Sequence, residues 1–179
     1  MGYDSSSETY VIVDIETTGL SKERHHITEI AAVKISDGII TDKFETLVDP
    51  GVPIPSHITR LTGIDDDTVA GAPSIADAMN EFVSFTGDST IVAHNASFDL
   101  GFLRHHAQNS LSFELNNRSL CTRNLSRKLM PGLRSAKLSS LCDMFGIENE
   151  NAHRAMSDVK ATYQLFTQLQ SMMSREPDA

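Results

Sequence analysis

Apolar and polar positions in this chain form short β-branched runs first and helical periodicities later. Residues 10–15 (Tyr-Val-Ile-Val-Asp-Ile) are an apolar, β-branched run that predicts a buried strand. Residues 27–35 and 39–48 predict two more, joined by Ser36-Asp37-Gly38 as a hairpin turn. Three strands with such short connections predict an antiparallel meander. Residues 50–55 carry three prolines and one glycine and predict irregular chain. Residues 56–62 suit a short helix stopped by Gly63. In 74–85, Ile75, Ala78, Met79, Phe82 and Phe85 recur at helical spacing, with Pro73-Ser74 as the start and Gly87 as the stop. A second apolar strand, 90–93, precedes a helix over 97–109. A strand over 118–121 and helices over 122–130 and 137–145 follow, punctuated by Pro131-Gly132 and Gly146. A final helix runs over 155–174. Meander first, then strands alternating with helices, predicts an α/β fold: a mixed sheet with antiparallel and then parallel strands, flanked by helices. There is no internal repeat or low-complexity segment. Residues 9–174 are expected to form one domain, between a disordered tail at 1–8 and a short tail at 175–179.

Composition narrows the class. A chain of 179 residues, 40% hydrophobic and 22% charged, has the make-up of a soluble globular domain with a sizeable core. No apolar run approaches the ~20 residues that span a bilayer. The first eight residues are polar and lack the apolar stretch of a signal peptide, so a cytoplasmic location is expected. Cys121 and Cys142 are too few for a disulfide framework and read as two buried thiols in a reducing compartment. The net charge of −9 argues against tight non-specific binding to duplex nucleic acid. The distribution is uneven, however. Residues 115–142 contain no acidic side chain but hold Arg118, Arg123, Arg127, Lys128, Arg134 and Lys137. That segment is either a solvated helical face or a surface for phosphates or an acidic partner.

Candidate chemistry sits in three blocks: Val13-Asp14-Ile15-Glu16-Thr17-Thr18-Gly19, His94-Asn95-Ala96-Ser97-Phe98-Asp99, and His153-Arg154-Ala155-Met156-Ser157-Asp158. Asp14 and Glu16 are two apart on a strand, so both leave the same face, at the strand end where α/β sheets build sites. Asp99 falls in the first turn of the helix after the second apolar strand. There it could equally be a partner for the helix dipole. His153 and Asp158 are five apart, which on one helix separates them by roughly 140°. His153 is therefore expected before the helix, free to swing, with Asp158 fixed one turn in. Carboxylates in apolar surroundings need cationic compensation, and oxygen ligands favour Mg²⁺ or Mn²⁺. Two such ions beside a histidine are a device for hydrolysing phosphodiesters, with the histidine taking the proton of the attacking water. His25, His26, His105 and His106 read as ordinary exposed histidines.

These blocks, in this order and spacing, resemble the DnaQ-like 3′-to-5′ exonucleases of the DEDDh type. Asp-Ile-Glu-Thr-Thr-Gly-Leu, Leu61-Thr62-Gly63-Ile64 and Ala93-His94-Asn95-Ala96-Ser97-Phe98-Asp99 are similar to the proofreading exonucleases of bacterial replicative polymerases, the epsilon subunit and the PolC-type domain. The likeness runs from Tyr10 to about Leu169. It implies a ribonuclease-H-like fold, with Asp14, Glu16 and Asp158 as direct ligands of the two metals. It implies Asp99 as a ligand of the second metal and His153 as the general base. It further implies that Thr17, Thr18 and Leu20 line the pocket of the terminal nucleotide, with His94, Asn95 and Phe98 near the strand. Phe98 also suits the core. Thr62 stands where an epsilon-like chain has histidine.

The activity so implied is removal of nucleoside 5′-monophosphates from the 3′ end of a single strand. DNA is favoured, RNA remains open, and a polymerase subunit is a candidate partner. The chain ends soon after its last helix, so an epsilon-type docking tail is not expected. A binding module that keeps the fold without turnover is the alternative from another class.

Overall fold

A computed structural model describes residues 9–174, and the expected tails at 1–8 and 175–179 lie outside the described residues. The meander forms as expected: β1 (Tyr10–Thr17), β2 (Ile27–Ser36) and β3 (Ile39–Leu47) pair antiparallel. The β2–β3 turn places Asp37 at φ 52° and Gly38 at φ 76°, the paired positive angles a two-residue hairpin requires. β4 (Thr90–Ala93) and β5 (Ser119–Cys121) then add in parallel, giving the sheet order β3-β2-β1-β4-β5. The strands' polarity follows from their connections. The two-residue turn makes β2 and β3 antiparallel, and residues 18–26 between β1 and β2 hold no crossover helix, whereas β4 and β5 follow helical crossovers.

Helices α1 (Ser56–Thr62), α2 (Asp66–Val69) and α3 (Ile75–Thr86) fill the first crossover, and α4 (Ala96–Leu111) the second. After β5 come α5 (Thr122–Leu129), α6 (Leu138–Phe145) and α7 (Ala155–Met173). α2 has no counterpart in the sequence reading. It is four residues long, too short for periodicity, and rests on Asp65, whose carboxylate accepts from the Thr68 N–H.

The central strand β1 is covered on both faces. Val11, Val13 and Ile15 pack with Phe82, Phe102 and Leu103 of α3 and α4, while Ile12 packs with Val159 and Phe166 of α7. The Ile12 face becomes Asp14 and then Glu16 as the strand leaves this core. Among the described residues no helix is long and apolar enough to cross a membrane. Cys142 is buried as expected, and Cys121 only half so.

Candidate active site

The C-terminal end of β1 presents Asp14 and Glu16 to a cavity of about 360 Å³ that Asp99, His153 and Asp158 also line. One carboxylate oxygen each from Asp14, Glu16 and Asp158 lie within 4.8 Å of one another. Asp99, 3% exposed in the first turn of α4, faces the same space from the neighbouring parallel strand's crossover. A larger groove of about 950 Å³, between α4 and the β5–α5 edge, holds none of these five side chains.

Clustered, buried carboxylates resist ionisation. Burial, followed by the charges of Asp99, Glu16, Asp158 and Glu29, holds the Asp14 carboxyl well above its usual range. Burial pushes Glu16 up to about 8, reinforced by Asp158, Glu29 and Asp99 and opposed by Arg154. Asp99 rises to about 7, chiefly by burial, against backbone hydrogen bonds from Asp99 and Ile15. The described residues bring too little positive charge here to balance these groups. An all-oxygen cluster short of positive charge suits hard divalent cations, so the residues present fit a metal centre.

His153 lies where helical geometry requires. It precedes α7, at φ 68°, and is exposed. Its N–H donates to Asp158 Oδ2 at 3.1 Å, so the backbone is tied to the carboxylate while the ring stands at the cavity rim. Asp158 Oδ1 accepts from Asn149 Nδ2 at 2.6 Å, and Ser157 in turn donates to Asn149 Oδ1 at 2.7 Å. Asp158 is thereby oriented from two sides.

His94 also lines the cavity, but both its ring nitrogens are engaged. Nε2 lies 2.9 Å from the Ala136 carbonyl and must carry the proton, since a carbonyl only accepts. Nδ1, 2.9 Å from Thr122 Oγ1, is then the acceptor. Burial keeps this ring below the usual histidine range, consistent with the neutral tautomer. Leu20, 85% exposed, along with Asn95 and Phe98, completes the cavity wall. Phe98 also packs on the core, 5.1 Å from Phe102. Thr17 and Thr18 do not line it. The Thr17 hydroxyl donates to the Gly19 carbonyl at 2.6 Å, and Thr18 Oγ1 accepts from the His26 N–H at 3.0 Å. Both are buried and shape the Gly19-Leu20 turn. A side chain at Gly19 would strike the His25 ring, so that turn requires glycine.

Glu29 was not expected in the site. It is 1% exposed, opposite Glu16 in the sheet register. Its carboxylate takes Arg154 Nη2 at 2.7 Å, Arg154 Nε at 3.3 Å and the Ala155 N–H at 2.9 Å. It therefore caps α7 and fixes the segment carrying His153. The available signal was a carboxylate in an otherwise apolar strand, Ile27-Thr28-Glu29-Ile30-Ala31-Ala32-Val33. His106 departs from the exposed reading. It is 8% exposed on the inner face of α4, with Nε2 unpartnered, and burial pushes it down to about 4.

Similarity to known proteins agrees with this geometry. Residues 11–166 match the family described as Exonuclease, RNase_T. Over 161 residues the chain is 38% identical to DNA polymerase III subunit epsilon of Aquifex aeolicus, covering 90% of this chain and 80% of that subunit. It is 45% identical over 157 residues to the DNA polymerase III PolC-type of Halalkalibacterium halodurans, covering 88% of this chain but only 11% of that one. The solved structure of Exonuclease X in complex with 5′ overhanging duplex DNA is similar at TM-score 0.75 and 28% identity, over 93% of this chain and 94% of that chain.

Proposed function

The chain belongs to the RNase_T family of exonucleases, and on that premise we propose that residues 9–174 form a 3′-to-5′ exonuclease domain acting on single-stranded DNA. The observation that carries this reading is the convergence of Asp14, Glu16 and Asp158 within 4.8 Å, in a cavity shared with Asp99 and His153. Asp14, Glu16 and Asp158 would hold a divalent cation, and Asp99 would contribute to a second. When bound, two Mg²⁺ or Mn²⁺ ions supply charge neutralisation and polarise the scissile phosphodiester. His153 accepts the proton of the attacking water. It is suited to this because His94, the other cavity histidine, has both nitrogens committed. Asn149 and the His153 N–H keep Asp158 turned into the cavity. Leu20 and Phe98 offer apolar surface to the terminal nucleoside. The products are a nucleoside 5′-monophosphate and a strand shortened by one residue with a new 3′ hydroxyl.

DNA is preferred to RNA because the relatives covering most of this chain carry DNA polymerase III names, which also support a polymerase partner and a cytoplasmic location. Matched DNA and RNA oligonucleotides, with paired, mismatched and single-stranded 3′ ends, test this. Faster release from the single-stranded and mismatched DNA ends is expected. Faster RNA degradation points to a trimming ribonuclease. Absence of turnover alongside retained partner capture points to a non-catalytic module.

A further inference from the structure

The catalytic cavity continues into a second cleft of about 540 Å³, and the two share His94, Asn95, Leu138, His153 and Asp158. The second cleft is walled by Arg123 of α5 and by Lys137, the residue capping α6. Among the described residues, Asp158, which belongs to the catalytic end, is the only carboxylate lining it. The polarity of the continuous cavity thus reverses within a short distance, from carboxylates at β1 to cations at α5 and α6.

Arg123 is the unusual member of this wall. Its guanidinium carries five donors. One, Nη1, donates to Asn95 Oδ1 at 3.1 Å. Among the described residues, the buried Nε has no hydrogen-bond partner, and no carboxylate among them is paired with the group. A buried guanidinium donor without an acceptor is costly unless an acceptor arrives. Asn95 holds the group in place from the cavity side, since it lines both clefts and heads α4. Lys137, exposed, lines the same cleft and adds a second cation. A planar guanidinium with spare donors, in a cleft also lined by an ammonium, fits a phosphate oxygen far better than a base edge or an apolar ligand.

We propose that Arg123, assisted by Lys137, grips the backbone phosphate one linkage upstream of the scissile bond. This rests on the exonuclease reading above, and the position follows from its chemistry. The departing 3′ nucleotide carries no phosphate except the one being cleaved. Any second phosphate next to the catalytic cavity therefore lies on the 5′ side. Such a grip sets the register of the strand, so that the terminal linkage alone reaches the carboxylates. It also gives two of the six cations in the basic segment 115–142 a function, whereas Arg127 and Arg134 stand exposed elsewhere.

The test is a cycle between one protein group and one substrate group. Two oligodeoxynucleotides are compared, one natural and one with an uncharged methylphosphonate at the penultimate linkage only. For the wild-type protein with Mn²⁺, kcat/KM should fall about tenfold on neutralising that linkage, the scale of one charge-assisted hydrogen bond. In Arg123→Gln the ratio between the two substrates should collapse towards one. Lys137→Gln, at an exposed position that threatens no folding, should reduce the ratio partially. A ratio that stays near tenfold in both variants, or that is already one in the wild type, overturns the assignment. If the wild type releases nothing from the natural strand, the exonuclease reading itself fails, a result distinct from either.

Discussion

Two histidines line the same cavity, and their hydrogen bonds separate their roles. His94 is wedged between Thr122 and the Ala136 carbonyl, so it can neither turn nor exchange a proton without losing a partner. His153 is held through its backbone N–H, and among the described residues no hydrogen bond ties its ring. His153→Ala should therefore keep Mn²⁺ binding while turnover falls about 10²–10⁴-fold. Asp14→Asn should lose both. Calorimetric titration of Mn²⁺ beside single-turnover assays separates these outcomes, and loss of metal binding in His153→Ala would contradict the assignment. The carboxylates make a second prediction. Burial pushes Glu16 up to about 8 against an ordinary 4.5, so between these values the folded chain holds a proton that the unfolded chain releases. The stability contributed by that proton is complete below the ordinary carboxylate range and is lost as pH rises through about 8. The unfolding midpoint in EDTA should fall between pH 5 and 9, while stabilisation by Mn²⁺ grows over the same interval. A midpoint in EDTA that climbs with pH would count against the buried cluster.

At the level of elements, the site depends on the end of β1, with Asp14 and Glu16, and on the first turns of α4, with Asp99, and α7, with Asp158. These placements were legible in the sequence because each follows from local periodicity. Two residues on a strand share a face, and five on a helix do not. The strand Thr90–Ala93, an apolar run, and the helix Ser56–Thr62, stopped by Gly63, also coincide with their expected bounds. What could not be read was anything set by tertiary contact. Glu29 and Arg154 are 125 positions apart, and nothing local to either announces their pairing. The small α2 helix escaped because its cue is a capping aspartate rather than a period. Thr17 and Thr18 looked like pocket residues from their motif, whereas their hydroxyls are spent on the Gly19-Leu20 turn. The Glu29 clamp has a measurable consequence. Glu29→Gln removes the ionic partner of Arg154 and weakens the bond to the Ala155 N–H. Arg154 is 44% exposed and can turn to water, which limits the loss to about 1–3 kcal/mol. Chemical denaturation should show that loss, and kcat should drop more than KM changes because His153 and Asp158 are displaced together. Unchanged stability and kcat would remove Glu29 from the site.

Across the whole molecule, an acidic chain is asked to handle a polyanion. The net charge of −9 gives no general attraction, and among the described residues the cations lining the cleft next to the catalytic cavity are Arg123 and Lys137. Binding of a single strand should therefore show a shallow salt dependence. If Arg123 and Lys137 are the phosphate contacts, log K should fall against log[salt] with a slope of about −1.4. Fluorescence anisotropy with Asp99→Asn protein, which should not cleave the probe, measures it, and a slope several times steeper would demand a longer basic track. The chain spans only 11% of the PolC-type relative it matches. The most direct test of the account is the product pattern from a 5′-labelled single-stranded DNA with Mn²⁺, resolved at one-nucleotide steps. A ladder shortening from the 3′ end with mononucleotides released, abolished by EDTA and by Asp14→Ala, is predicted. Internal cuts, no release, or full activity in Asp14→Ala would contradict it.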